Sequence, residues 1–241
     1  MKKLISAFIV TLLMAGTVSA ETIKWEGREF YAKNVHASIV KLNGEEVLKV
    51  ERNLKVFPFD INRLSETVDE PTYVKLKDFE FSDGIFEVKV LARVQQPTPF
   101  PASQGFIGIH YRVNADDSAF ESIYLRPNVG RADNQASRNH AVQYFAYPGY
   151  KFDRLRKESN GLYETYADIG LDEWITMRIH VKGERAELYL NNAKYPSFIV
   201  NKMKGTSASG GIGLFVDIGT EGYFKDFKII SSMHPKLKGG A

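Results

Sequence analysis

Alternation of apolar and polar residues with a period of two dominates this chain from residue 38 to residue 230. It recurs in Ser38 to Leu42, Val47 to Glu51, Thr72 to Leu76, Gly84 to Val94, Gly105 to Val113, Ser118 to Leu125, Val142 to Ala146, Tyr163 to Asp168, Trp174 to Val181, Arg185 to Leu190, Gly210 to Val216 and Gly222 to Ile230. Such alternation marks half-buried β-strands. No segment carries a convincing amphipathic helical period, so the crossover helices of a parallel sheet are lacking and the expectation is an all-β, antiparallel fold. The turn chemistry agrees, because Asn43-Gly44, Asp83-Gly84, Lys182-Gly183 and Asn191-Asn192 separate runs able to pair as hairpins. About a dozen strands exceed a small immunoglobulin-type sandwich and fit a two-sheet jelly roll.

Residues 1–20, MKKLISAFIVTLLMAGTVSA, place Lys2 and Lys3 before an apolar run from Leu4 to Met14 and end in small residues. This is the pattern of a secretory signal peptide, and the run is too short to span a bilayer. The expectation is a mature chain beginning at Glu21, exported to the periplasm or secreted, with no transmembrane anchor after cleavage. One β-sandwich domain over 21–232 and a polar, frayed tail over 233–241 complete the expected organisation. Removing the leader takes the formal charge from +3 to +1, so charge gives no reason to expect a nucleic-acid partner. The chain has no cysteine, so stability rests on a packed core rather than on disulfides.

The segments FEFSDGIFEVKVLAR, GFIGIHYRV, LDEWITMRIHVKGERAELYLNN and GGIGLFVDIGTEGYFKDFKI occur in that order. On them the chain resembles the concanavalin A-like lectin/glucanase superfamily, and more narrowly laminin G-like modules and the bacterial 3-keto-disaccharide hydrolase domain family. The resemblance covers Leu76 to Ile230, with a fainter W…G…L pattern in Glu21 to Tyr73. It implies a concanavalin A-like sandwich. It does not select a chemistry, since that fold hosts lectins, hydrolases, lyases and adhesion modules alike.

The carboxylate pair that serves glucanases of this fold, E-x-D-x-x-E on one strand, is absent. Retaining glycosidases hold their carboxyl groups about 5 to 5.5 Å apart. Glu164 and Asp168 share a strand face but would lie roughly 13.6 Å apart along it, and Glu184 and Glu187 point to opposite faces. No G-x-S-x-G elbow is present for a serine nucleophile. The histidines His36, His110, His140, His180 and His234 fall in no H-x-H or H-E-x-x-H, so a zinc site is not expected. Calcium is the one cofactor with candidate ligands, Asp116, Asp117 and Asp217, which sit in segments that also read as ordinary polar turns.

The connection from Pro127 to His140 is long for an unstructured loop in a compact domain, which makes it functional or self-packed. RPNVGRADNQASRNHAVQY concentrates long planar hydrogen-bonding groups: Arg126, Arg131, Asp133, Gln135, Arg138, Asn139, His140, Gln143 and Tyr144. Tyr124 leads into it, and Tyr150 and Arg154 follow. On GFIGIHYRV, period two places Ile107, Ile109 and Tyr111 in the core, and Gly108, His110 and Arg112 on a polar face expected to line water or ligand. Arginine, asparagine, glutamine and tyrosine suit vicinal sugar hydroxyls, and arginine also grips carboxylates bidentately. The structural reading of Arg126, Arg131, Arg138 and Arg154 is that they pin the loop by pairing with Asp133, Asp153 or Glu164. Trp25 and Trp174 read as core or sheet-edge residues.

Three functions are open on these residues. The first is carbohydrate binding without turnover, through a polar concave sheet and the 126–144 loop. The second is a glycoside hydrolase or lyase acting on 3-keto-disaccharides or related sugars, as the family resemblance implies, with His110, His140 or Glu164 as acid or base. The third is a laminin G-like protein-interaction module. Catalysis requires His110, His140 or Glu164 to converge with a second titratable group in one pocket.

Overall fold

The structure, a computed structural model, describes residues 22–232. The expected signal peptide, its cleavage point and the polar tail lie outside the described residues. Among the described residues no helix is long and apolar enough to cross a membrane.

Among the described residues fifteen strands run in chain order: β1 Thr22–Trp25, β2 Arg28–Lys33, β3 Val35–Leu42, β4 Glu45–Arg52, β5 Tyr73–Leu76, β6 Gly84–Val94, β7 Ile107–Val113, β8 Phe120–Leu125, β9 Val142–Tyr147, β10 Glu164–Thr165, β11 Ile175–Lys182, β12 Arg185–Leu190, β13 Phe198–Val200, β14 Gly211–Val216 and β15 Thr220–Ser232. They form an eight-stranded sheet, β1-β2-β5-β14-β7-β8-β9-β10, and a seven-stranded sheet, β13-β12-β11-β6-β15-β4-β3. Every pairing between strands is antiparallel. The protein is therefore the two-sheet antiparallel sandwich that the alternation implied, in the concanavalin A-like class that the resemblance implied.

The sheets bury the period-two sets against each other. Phe86, Val88, Val90 and Ala92 of β6 are fully buried, and the Phe86 ring lies 5.8 Å from Tyr111 of β7, so Ile107, Ile109 and Tyr111 face the seven-stranded sheet. Asn43 and Gly44 both adopt positive φ between β3 and β4, which is the geometry a tight hairpin requires. Trp25 belongs to the main core, and Trp174 packs against the satellite cluster of Val47, Leu91 and Tyr223.

The outer face of the eight-stranded sheet departs from expectation. Tyr73, His110, Phe120, Tyr124, Phe145 and Phe215 all lie on it, and each is fully buried. Their edge-to-face and stacked rings make a second apolar layer, with burial worth roughly 1.5–3 kcal/mol per large ring. That layer is roofed by segments the period-two pattern did not mark: a 3₁₀ turn Ile61–Arg63, helix α1 Leu64–Thr67 and helix α4 Phe152–Glu158. Lys151 ties the roof together, donating to the Ser65 and Val68 carbonyls at 2.7 and 3.0 Å and pairing with Glu70.

The long connection is self-packed rather than open. It contains α2 Pro127–Gly130 and α3 Gln135–Arg138, the latter capped by Asn134, whose side chain accepts from the Ser137 N–H at 2.8 Å. β1, β2 and β13 were not anticipated, and the strand expected over Tyr163 to Asp168 is only Glu164–Thr165.

Candidate functional site

At the β8-β9-β10 edge the outer face turns from aromatic to polar. Tyr124 pairs with Gln143 and Gln143 with Glu164 in register, so the three side chains stand in a row across three strands. Arg126 follows Tyr124 by two residues, and its N–H donates to the Ala141 carbonyl at 2.7 Å. Its guanidinium donates to the Tyr124 hydroxyl and to Gln143 Oε1, and its Nη1 lies 3.7 Å from Glu164. Burial this deep would be costly for an unpaired guanidinium, and the carboxylate offsets it. Two donors of the cluster, Arg126 Nε and Gln143 Nε2, are buried with no partner among the described residues.

Glu164 is the hub. Its side chain is 5% exposed. It accepts from Arg156 Nε at 2.9 and 3.0 Å, and from Arg156 Nη2. His140 Nδ1 lies 2.9 Å from Glu164 Oε2, which Arg156 Nε also reaches. A carboxylate only accepts, so Nδ1 must carry the proton and Nε2 is left as a bare acceptor. No group among the described residues bonds Nε2, and His140 lines a cavity of about 510 Å³ with Asn139, Asn160, Glu164, Thr165 and Tyr166. Burial pushes the His140 imidazole below the ordinary histidine range; Glu164 opposes the shift and Arg156 adds to it. His140 is thus a neutral base at neutral pH.

A second cavity, of about 170 Å³, lies on the other side of Arg156, between Asp69, Phe106, Tyr124, Arg126 and Phe152. Arg156 lines it while bonding Glu164, so this guanidinium separates the two cavities, and its Nη1 makes no hydrogen bond among the described residues.

His140 and Glu164, two of the three catalytic candidates, therefore line one cavity, while Arg126 and Arg156, which contact Glu164, line the other. His110 does not join them. It is fully buried, stacked on Phe120 at 4.1 Å and bonded through Nδ1 to Ser122 at 2.9 Å, and burial holds it well below its ordinary pKa. The polar face expected around it is closed to water because the aromatic layer and its roof cover it.

Arg112 is also displaced from that face. A bulge against Gly211 and Gly213 gives Arg112 a φ of +53 and breaks the period, sending its guanidinium to the Ser82 and Gly183 carbonyls and to Asp83 at 2.8–2.9 Å. Tyr144 pairs with Ile123 on the inner face, where its hydroxyl donates to buried Glu121 and accepts from the Lys204 N–H. Both side chains are spent within the protein.

The remaining loop residues divide. Arg131 pairs with Asp168 and Glu173, and Arg138 donates to the Ala132 carbonyl, so these two pin the loop, with partners other than those expected. Gln135 donates to Asn139, and Asp133 is exposed. Arg154 stacks on Tyr150 at 3.9 Å and pairs with Glu158, beside the Lys151 side of α4. Arg156 and Asp69 were missed by sequence reasoning. The signal for Arg156 was its place in FDRLRKE, about two helical turns that a period-two reading passes over.

The calcium candidates are otherwise engaged. Asp117 accepts from Tyr31, Tyr73 and Lys75 and pairs with Lys33; Asp217 accepts from Arg52 and from the Asp69 N–H; Asp116 caps Ser118. Among the described residues no three His, Cys, Asp or Glu side chains converge as a metal site.

Residues 62–230 match the family model of the 3-keto-alpha-glucoside-1,2-lyase-like domain. No curated protein matches the chain. Among solved structures, the carbohydrate binding module CBM66 from Bacillus subtilis is similar at 10% identity, with a TM-score of 0.48 over 81% of this chain and 94% of that one. A Bacillus subtilis protein with a galectin-like fold is similar at 10% identity, with a TM-score of 0.42 over 80% and 86%.

Proposed function

Because the chain belongs to the 3-keto-alpha-glucoside-1,2-lyase-like domain family, we propose that it cleaves glycosides oxidised at C3 by 1,2-elimination. A ketone at C3 makes the hydrogen on C2 acidic. A base that removes it generates an enolate, and collapse of the enolate expels the substituent on C1 and leaves a C1=C2 double bond. No nucleophile and no second carboxylate are needed, which accords with the missing glucanase dyad.

The observation that carries this reading is the His140 Nδ1 contact to Glu164 at 2.9 Å, with Nε2 unpartnered at a cavity. Glu164 orients the ring and fixes its tautomer, and the base stays neutral because burial opposes its charging. When the proton arrives, the adjacent carboxylate stabilises the imidazolium. Arg156, bonded to Glu164, places positive charge beside the His140 and Glu164 pair, which favours a developing enolate oxygen there. The aminoterminal segment, read as an export signal, would put this chemistry in the periplasm or outside the cell.

The test is incubation of the protein with a 3-keto-α-glucoside, scoring release of the alcohol and appearance of the conjugated enone. Wild type should turn over, and His140→Gln should lose about 10²–10⁴-fold in kcat with its melting temperature kept. Saturable binding of the keto-sugar with no product would overturn catalysis and leave a carbohydrate-binding module.

A further inference from the structure

The smaller cavity takes no part in the elimination, because Arg156 stands between it and the cavity that His140 lines. Its acidic wall is Asp69, two residues past α1. Asp69 is 3% exposed and holds a left-handed backbone with φ of +54. A non-glycine residue keeps such a conformation at a cost, and the surroundings must impose it. The Asp69 N–H donates to Asp217 Oδ2 at 2.8 Å, and Asp217 is itself fixed by buried Arg52 at 2.8 Å. The Phe152 N–H donates to Asp69 Oδ2 at 3.2 Å, which seats the start of α4. That role takes one carboxyl oxygen. The other, Oδ1, has no hydrogen bond and the carboxyl no ion pair among the described residues, an arrangement that costs free energy unless something else bonds it.

Beside this acceptor the cavity offers a donor. Arg156 Nη1 is unbonded among the described residues, while Nε and Nη2 hold Glu164. The rest of the wall is largely aromatic, with Phe100, Phe106 and Phe152. Arg126 lies 5.8 Å from the Phe106 centroid and Arg156 5.1 Å from that of Phe152, so rings and guanidiniums hold one another in place. Half-exposed Leu64 and Gln104 and exposed Ala102 form the mouth.

These features select a ligand. An open acceptor beside an open donor matches a hydroxyl, which both gives and accepts a hydrogen bond. Phenyl walls match the C–H face of a saturated ring. The surrounding charges cancel, with Arg52, Arg126 and Arg156 against Asp69, Asp217 and Glu164, so a carboxylate or phosphate would bring an uncompensated charge into the site. The volume of about 170 Å³ is well below the roughly 300–1,000 Å³ of pockets for drug-sized ligands, which leaves room for one ring. We propose that this cavity is a second binding site, separate from the His140 cavity, that holds a single neutral pyranose without turnover. Asp69 Oδ1 and Arg156 Nη1 take a hydroxyl of the sugar, and the phenyl rings cover its apolar face.

The test is calorimetric titration of the full chain with glucose, galactose and mannose, none of them a 3-keto sugar, and with glucuronate. At least one neutral sugar should saturate a single site, and glucuronate should bind more weakly. Asp69→Asn, which keeps an acceptor for the Phe152 N–H, should weaken that binding about tenfold or more. Ala102→Trp, which fills the mouth, should abolish it in a chain whose melting shows it folded, and His140→Gln should bind as wild type does. Binding is read without turnover, so these results stand apart from whether a 3-keto-glucoside is cleaved. Three results would each overturn the proposal: no saturable binding of any neutral sugar, tighter binding of glucuronate, or binding that survives Asp69→Asn and Ala102→Trp unchanged. Binding lost in His140→Gln would place the sugar in the other cavity and overturn it as well.

Discussion

Asp69 sets how the fold itself responds to pH. Its folded pKa is raised to about 6 by burial and by Asp217, against 3.8 for an ordinary aspartate. Between those values the folded state holds a proton that the unfolded chain has released. Stability therefore falls as pH rises through this window, and above it the charged, buried carboxyl costs on the order of 3 kcal/mol. Asp69→Asn removes the titration and keeps a side chain tolerant of left-handed backbone. The variant should melt above wild type at pH 8, with the gap closing near pH 4; a gap independent of pH contradicts the assignment. At this scale the sequence displayed His140 and Glu164 as titratable candidates but hid their meeting, because they are 24 positions apart and join through a two-residue strand. It misplaced Arg112 because a single bulge reverses the alternation on which its side was read. Asp69 was invisible because its strain and burial come from residues distant in sequence, Asp217 above all.

The 126–144 connection behaves as a built element. Its two short helices are seated by Gly130, where an added Cβ would lie 2.2 Å from the Ile169 carbonyl oxygen and 3.0 Å from that of Ala167. Neither is a flexible side-chain end, so the backbone must move. Gly130→Ala should destabilise the protein by roughly 1–3 kcal/mol, read by thermal melting, and should lower turnover because the same element carries His140. A variant with wild-type melting and turnover would show that the contact is not constraining. The length and composition of this segment marked it as functional or self-packed, and it is self-packed with its end at the cavity. Helix α4 escaped notice because the seven residues of FDRLRKE, about two turns, are too few to establish a helical period. Its role is tertiary, roofing the aromatic layer and delivering Arg156 to Glu164.

Across the molecule, alternation and turn chemistry were enough to read two antiparallel sheets, since strand faces are dictated locally by burial. The outer face was not legible in the same way. Tyr73, Phe120, Phe145 and Phe215 alternate with inner-face residues of similar hydrophobicity, so nothing local announces that the sheet is covered on both sides and turns polar at the β8-β9-β10 edge. The central claim is that this edge removes the hydrogen from C2 of a 3-keto sugar. The most direct measurement is the rate of aglycone release from a 3-keto-α-glucoside carrying deuterium at C2, compared with the protiated sugar. A several-fold slower release of the deuterated substrate is the predicted result. Release at the same rate from both, with the ring keeping its C2 deuterium and gaining a hydroxyl at C1, would contradict it and indicate hydrolysis.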